Sequence, residues 1–152
     1  MKTYHLEDLE QTQRFGQKFG SVLEGGEVIE LVGDVGAGKT TLVKAIARGL
    51  DINDTVQSPT FTISRVYEAR DELRLAHYDF YRLNEAGIMR EELAEALSDP
   101  ACITILEWSE IVEGVLPEDR LVINLTSPSE DTRNVTVSAN GPVSEKTLEE
   151  LG

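Results

Sequence analysis

The segment at residues 33–40 carries the clearest chemical signal in the sequence. It reads GDVGAGKT, which matches the phosphate-loop pattern G-x-x-x-x-G-K-[ST] without a gap. Glycines let the backbone approach an anion closely, and the free N–H groups at the start of a helix attract phosphate. We expect Lys39 to reach the β- and γ-phosphates of a nucleotide and the Thr40 hydroxyl to bind Mg²⁺. A glycine turn without a ligand is the alternative, but such a pattern should arise by chance on the order of once in a hundred chains of this length.

Two carboxylates at the ends of predicted strands are candidates to complete a nucleotide site. Asp79 continues an apolar strand face that also carries His77, and Glu107 ends the apolar run CITIL. Ligands of open α/β sheets bind beyond the carboxyl ends of the strands. Asp79 would hold Mg²⁺ or its water, and Glu107 would bind Mg²⁺ through water or orient an attacking water. The alternatives are a solvated aspartate and a helix-start glutamate. His77 fits a hydrogen-bonded core histidine as well as a catalytic one, and Trp108 fits a packing residue.

A loop and three arginines extend the candidate set. In Ser58-Pro59-Thr60 the proline fixes the loop, and Thr60 is placed to contact Mg²⁺ or the γ-phosphate as switch segments do. A plain turn before a strand explains the same residues equally well. Arg65, Arg82 and Arg133 are cationic candidates among which spacing does not choose.

The elements that must position these residues follow from hydrophobic periodicity. Strands are predicted at 3–7, 27–32, 61–69, 72–80, 102–108, 120–126 and 133–139, and helices at 8–25, 40–50, 84–97, 109–115 and 143–151. The first helix would place Leu9, Phe15, Phe19 and Val22 on one face, and Gly25-Gly26 would end it. Early alternation of strands and helices, followed by strands, predicts an α/β fold: a P-loop NTPase-like, three-layer mixed sheet flanked by helices, in a single domain spanning residues 1–152. Glu30 interrupts an apolar strand without an evident reason.

Composition and charge narrow the function. The chain has 152 residues and a net charge of −14, of which residues 83–152 carry −11 from 4 basic and 15 acidic side chains. Such a surface repels phosphate backbones, which argues against direct DNA, tRNA or anionic-membrane binding. The acidic surface is explained either by solubility or by binding to a basic protein partner. The single cysteine, Cys102, excludes an intrachain disulfide framework, and with no signal peptide or long apolar stretch we expect a cytoplasmic protein.

Missing motifs separate the classes of nucleotide-binding protein. The sequence has neither N-K-x-D nor a D-x-x-G after the phosphate-loop helix, so the guanine-reading and switch elements of GTPases are missing. It also lacks the arginine-rich lid of small nucleotide kinases. ATP is therefore the expected nucleotide. A small-molecule kinase and a nucleotide-sensing module without hydrolysis remain as alternatives to an ATPase.

Five blocks in order resemble one family. GDVGAGKTT, SPTFT, HYDFYRL, EW and VLPED are similar to the TsaE (YjeE) family of small bacterial ATPases in the tRNA threonylcarbamoyladenosine pathway. The resemblance implies that the protein binds ATP and Mg²⁺ and joins the sugar-kinase-like proteins TsaB and TsaD. Those partners modify the adenosine next to the anticodon, and the ATPase resets their complex without performing the transfer. It implies weak hydrolysis by the isolated chain and contact with tRNA only through the partners.

The resemblance also assigns roles by position. Lys39, Asp79 and Glu107 are expected to be catalytic, with Thr40, Glu107 and the Walker-B-like Asp79 at the metal. The segment from Asp8 to Thr12 is expected near the base. The expected nucleotide-binding residues are Asp34, Gly36, Ala37, Gly38, Lys39, Thr40, Thr41, Thr12, Thr60 and Arg133.

Overall fold

A seven-stranded mixed sheet forms the frame of the molecule. The computed structural model describes residues 1–33, 37–52, 64–80 and 90–152. Its strands are β1 (Lys2–Leu6), β2 (Val28–Val32), β3 (Ser64–Glu68), β4 (Arg74–Asp79), β5 (Cys102–Glu107), β6 (Leu121–Thr126) and β7 (Arg133–Ala139). Its helices are α1 (Leu9–Val22), α2 (Lys39–Gly49), α3 (Arg90–Ser98) and α4 (Pro142–Leu151), and a 3₁₀ segment covers Ser109–Val115.

The strand order puts the phosphate-loop strand in the middle. The order is β1-β7-β6-β2-β5-β4-β3. Strands β6, β2, β5 and β4 run parallel, whereas β3 pairs antiparallel with β4, and β7 pairs antiparallel with both β6 and β1. Because parallel strands end at the same edge, the carboxyl ends of β2, β4, β5 and β6 lie there.

Apolar clusters cover both faces of the sheet, which confirms the three-layer α/β prediction. On one face, Phe19 of α1, Ile46 of α2 and Leu151 of α4 pack on strand residues such as Ile29. On the other face, a smaller cluster joins strand residues to α3 and the 3₁₀ segment; its members include Val28, Tyr78, Leu93, Leu106 and Val112.

Helices α1 and α2 touch through glycines. A Cβ built on Gly20 would lie 2.1 Å from the carbonyl oxygen of Ile46, and one on Gly16 would lie 2.3 Å from the Cβ of Ala45. Gly49 approaches α1 as closely, since its Cβ would lie 2.2 Å from the carbonyl oxygen of Gln17. The backbones therefore fix the position of α2, whose first residue is Lys39.

The structure corrects the predicted first helix. Helix α1 ends at Val22, and Leu23, buried in the core, already has an extended backbone. Gly25 and Gly26, both with positive φ, form the following turn and do not cap the helix. Leu9 is 59% exposed and so is not part of the apolar face.

The hairpin and the closing strand pair are confirmed. Strands β3 and β4 pair with Tyr67 opposite Leu75, and β6 and β7 pair with Ile123 opposite Val137. The predicted helix at 84–97 is described from Arg90 onward, with Leu93 buried and Leu97 half-buried; its predicted start at residues 84–89 lies outside the described residues.

Candidate functional site

The loop between β2 and α2 ends in a backbone conformation suited to an anion. Gly38 precedes α2 with φ at +95°, a left-handed conformation that glycine adopts readily. A Cβ at this position would lie 3.1 Å from Nε of Arg133. The N–H groups of the first turn of α2, which includes Thr40 and Thr41, carry the partial positive charge of a helix N-terminus. The backbone here fits a phosphate group.

Lys39 is held between the loop and an indole ring. Its side chain is buried at 7% exposure, and Nζ donates a hydrogen bond of 2.7 Å to the carbonyl oxygen of Gly33. The same Nζ lies 3.9 Å from the centroid of the Trp108 ring, a cation–π contact. Trp108 has φ 55° and ψ 48°, a left-handed conformation that costs a bulky residue on the order of 1–3 kcal/mol. The prediction that Trp108 is a packing residue is confirmed, since its ring packs against the cluster that contains Val112. The additional contact with Lys39 had no signal in the sequence beyond the position of Trp108 directly after Glu107.

The two predicted carboxylates lie side by side. Asp79 and Glu107 are register partners at the ends of the parallel strands β4 and β5. Asp79 is half-buried. Glu107 is 3% exposed, and its Oε2 lies 2.6 Å from Nε2 of the fully buried His77. The hydrogen-bonded reading of His77 therefore holds, and its Nδ1 has no hydrogen-bond partner among the described residues.

The predicted metal set contains oxygen donors of the kind that Mg²⁺ takes beside a phosphate. In the described part of the chain no cluster of three or more His, Cys, Asp or Glu side chains is placed to hold a metal ion. Mg²⁺ beside a nucleotide is usually bound by one or two carboxylates together with phosphates and waters. Thr40, Asp79 and Glu107 supply such a set, and their metal role stays a prediction.

A cavity of about 270 Å³ joins the start of α1 to the start of α2. It brings together four residues of the predicted nucleotide set; its lining residues are Leu9, Thr12, Gly38, Thr41, Glu130, Asp131 and Arg133. Thr12 is buried and donates a hydrogen bond of 3.3 Å to the carbonyl of Asp8. Arg133 donates to the carbonyls of Ser129, Glu130 and Thr132. Glu130 and Asp131 also line this cavity and were not predicted, because a polar turn gives no sequence signal for a place beside a cavity.

A larger cavity, of about 570 Å³, opens at the carboxyl end of β2. Ala37 and Lys39 line it together with Trp108, Ser109 and Glu30. Glu30 accepts a hydrogen bond of 3.0 Å from the Ser109 hydroxyl and forms an ion pair with Arg120, which explains a carboxylate inside an apolar strand.

The structure does not describe every predicted residue. Asp34, Gly36, Thr60 and Arg82 lie outside the described residues. Arg65 is exposed on the edge strand β3. Of the two candidate arginines that the structure describes, Arg133 lies beside Gly38 at the start of α2.

The parallel strands around β2, and the glycine-rich loop that leads from β2 into α2, define a protein of the P-loop α/β class. The model of the family "Threonylcarbamoyl adenosine biosynthesis protein TsaE" matches residues 6–135. The chain belongs to the TsaE family.

Relatives and a solved structure agree with this assignment. The tRNA threonylcarbamoyladenosine biosynthesis protein TsaE of Bacillus subtilis is 36% identical over 143 residues, covering 93% of this chain and 88% of the relative. The protein of the same name from Treponema pallidum is 37% identical over 129 residues, covering 85% and 94%. The crystal structure of Bacillus subtilis YdiB superposes with a TM-score of 0.80 at 31% identity, covering 99% of this chain and 93% of that one. Among the described residues, no helix combines the length and the apolar character that crossing a membrane requires.

Proposed function

We propose that this protein is a magnesium-dependent ATPase of tRNA N6-threonylcarbamoyladenosine biosynthesis. It acts on a complex of TsaB and TsaD type proteins as a switch or reset factor and does not itself perform the transfer. The observation that carries the proposal is the phosphate loop of a TsaE family chain, with Lys39 at its end and two carboxylates on the neighbouring strands.

Each residue of the site has a role that follows from its position relative to the nucleotide. Backbone N–H groups at the start of α2 and the ammonium of Lys39 bind phosphate oxygens. Thr40, Asp79 and Glu107 hold Mg²⁺, directly or through water, and the ion supplies charge neutralisation on the phosphates. His77 fixes the orientation of the Glu107 carboxylate through its 2.6 Å hydrogen bond. Thr12, Thr41 and Arg133 line the side of the site next to α1 and contact the rest of the nucleotide.

The charge of the chain fits a factor that acts through proteins. With a net charge of −14, the chain would not hold tRNA by itself, so tRNA is bound by the partners. An isolated switch ATPase should turn over slowly, because a partner completes its site; in GTPases an arginine supplied in trans is worth about 10³–10⁵ in rate. The proposed location is the cytoplasm.

Mg²⁺-dependent ATP hydrolysis tests the proposal. The purified chain is assayed alone and with the two sugar-kinase-like partners, and we expect feeble turnover that rises when both are present. Equal turnover in the two conditions would contradict the switch role. Phosphate transfer to a small acceptor would indicate a kinase.

Asp79→Ala tests whether Asp79 takes part in ATP hydrolysis. We expect the variant to lose most of the partner-stimulated turnover, because the carboxylate lies at the end of β4 beside Glu107. Glu149→Ala, which removes an exposed carboxylate on α4, is the matched control and should keep wild-type turnover. Turnover by Asp79→Ala equal to that of the control would remove Asp79 from the catalytic residues. Nucleotide binding without turnover by the wild type, even with both partners, would assign the chain to the sensing modules.

A further inference from the structure

Glu30 is an acidic side chain in the central strand of the sheet. It lies on β2 between β5 and β6, and only 13% of its side chain is exposed. By strand alternation it faces the same way as Val28, toward the layer that contains the 3₁₀ segment. A carboxylate is seldom buried there unless it is paired, and an apolar residue of similar size would pack without that requirement. The partners of the Glu30 carboxylate therefore indicate its structural role.

Those contacts tie both ends of one segment to β2. Oε2 of Glu30 accepts from the hydroxyl of Ser109, the first residue of the 3₁₀ segment. Oε1 is paired with Nε of Arg120, which directly precedes β6, and Nη1 of Arg120 donates 2.7 Å to the carbonyl of Pro117. Ser109 is buried, so its hydroxyl is shielded from competing water. The start of the segment is thus attached to the strand that leads into the phosphate loop.

The attached residue is the neighbour of Trp108. The backbone of Trp108 is left-handed, a conformation that persists only where its surroundings hold it. The hydrogen bond from Ser109 to Glu30 and the contact between the indole ring and Lys39 are two of its restraints. The ring also packs against the apolar cluster that contains Val112. Lysine carries a flexible four-carbon chain, so a ring against its ammonium restricts where that ammonium can lie.

We propose that Glu30 and Ser109 are positioning residues for Lys39: their hydrogen bond fixes the turn at Trp108, and the indole ring in turn holds the ammonium beside the phosphate loop. The consequence for nucleotide affinity rests on the proposed function, because it takes Lys39 as a phosphate ligand. The placement of the Trp108 ring and of the Lys39 ammonium does not depend on the proposed function, and it can be tested without nucleotide.

Trp108 is the only tryptophan of the chain, so the tryptophan fluorescence reports on the surroundings of this one ring. In the nucleotide-free full chain, Ser109→Ala should make Trp108 more accessible to acrylamide and shift its emission to longer wavelength. Lys39→Met should change the emission as well, since it removes the cation from the ring. In the double variant the two changes should be less than additive, because both act on one contact. Ser144→Ala, the same substitution at another buried serine, on α4, is the matched control and should leave the spectrum unchanged.

Calorimetric titration with ADP and Mg²⁺ tests the consequence for affinity. We expect Ser109→Ala to weaken binding by about three- to tenfold, the range for loss of a positioned cation contact. In the Lys39→Met background it should cause no further loss. Ser144→Ala should bind as the wild type does.

Different results would contradict the positioning role of Ser109 and the proposed nucleotide-binding function. A Ser109→Ala spectrum and quenching identical to the wild type, or fully additive effects with Lys39→Met, would overturn the positioning role. Absence of ADP binding by the wild type would refute the proposed function, and the fluorescence comparison would still decide the positioning role. If circular dichroism shows that Ser109→Ala does not fold, Glu30→Gln carries the same expectations, because it keeps the shape and removes the charge.

Discussion

Replacing Gly20 by alanine tests whether the close approach of α1 and α2 sets the position of the phosphate-binding residues. A Cβ at Gly20 would lie 2.1 Å from the carbonyl oxygen of Ile46 and 3.0 Å from Cα of Gly49. Ordinary contacts begin at 3.4 Å, so the first pair would overlap by about 1 Å or more. Both neighbouring atoms belong to the backbone of α2 and have no side-chain rotamer to change. The helices would have to separate.

The expected magnitude combines two opposing effects. Alanine is favoured over glycine inside a helix by about 0.8–1.0 kcal/mol. Overpacking costs typically about 1–3 kcal/mol, and a backbone neighbour puts this site at the upper end of that range. The net loss in the free energy of unfolding should be about 2 kcal/mol. For a chain of this size that corresponds to a fall in Tm of about 4–8 °C.

The assay is thermal unfolding followed by circular dichroism, with Gly114→Ala as the control. A Cβ at Gly114 would meet no atom within 4 Å, so the same substitution should be neutral or stabilise by about 0.4–1 kcal/mol. ADP titration should also show weaker binding by Gly20→Ala, because α2 begins at Lys39. A Tm for Gly20→Ala equal to or above the wild type would refute the reasoning about the helix contact.

Two further substitutions probe the phosphate site and the last helix. Lys39→Met should weaken binding of ADP with Mg²⁺ by about tenfold or more, because a charge-assisted bond to phosphate is lost; calorimetry gives the affinity, and wild-type binding by this variant would contradict the site. Asp119→Ala should lower the free energy of unfolding by about 1 kcal/mol at pH 7, because Asp119 accepts from the N–H groups of Val143 and Ser144 at the start of α4. Burial raises the pKa of Asp119, but the hydrogen bonds from Ser144 and Val143 outweigh it and leave the pKa below the ordinary value. A carboxyl group with a lowered folded-state pKa stabilises above its unfolded pKa, and that stabilisation is lost as the pH falls through the folded pKa. Urea unfolding at pH 7 and near pH 3 should therefore show the difference between Asp119→Ala and the wild type shrinking in acid, and a difference independent of pH would contradict the capping role.

Local patterns predicted the order and type of the elements well. Alternating residues identified the β3–β4 and β6–β7 pairs, and period-3.6 spacing identified α2. The end of α1 was predicted wrongly, because a glycine pair marks a turn but does not decide how soon Leu23 must enter the core. Leu9 was placed on the apolar face by spacing alone, although it lies at the rim of a cavity.

The candidate site was predictable only in its contiguous part. The phosphate loop is a single run of residues, and the strand-end positions of Asp79 and Glu107 follow from the length of each apolar run. The partners of those residues were not predictable. Glu107 meets His77 because β4 and β5 are neighbours, and Lys39 meets Trp108 because β5 lies beside β2.

By itself the sequence determined the phosphate loop, the alternation of strands and helices, the acidic surface and the resemblance to one family. Each of these can be read from residues that are close together in the sequence or from the counts of charged residues. Only the tertiary structure decided that Glu30 meets Ser109 and Arg120, residues 79 and 90 positions away, and that Thr12 shares a cavity with Gly38. The physical reason is that these contacts depend on which strands lie side by side and how closely two helices approach, and both are settled by packing of the whole core.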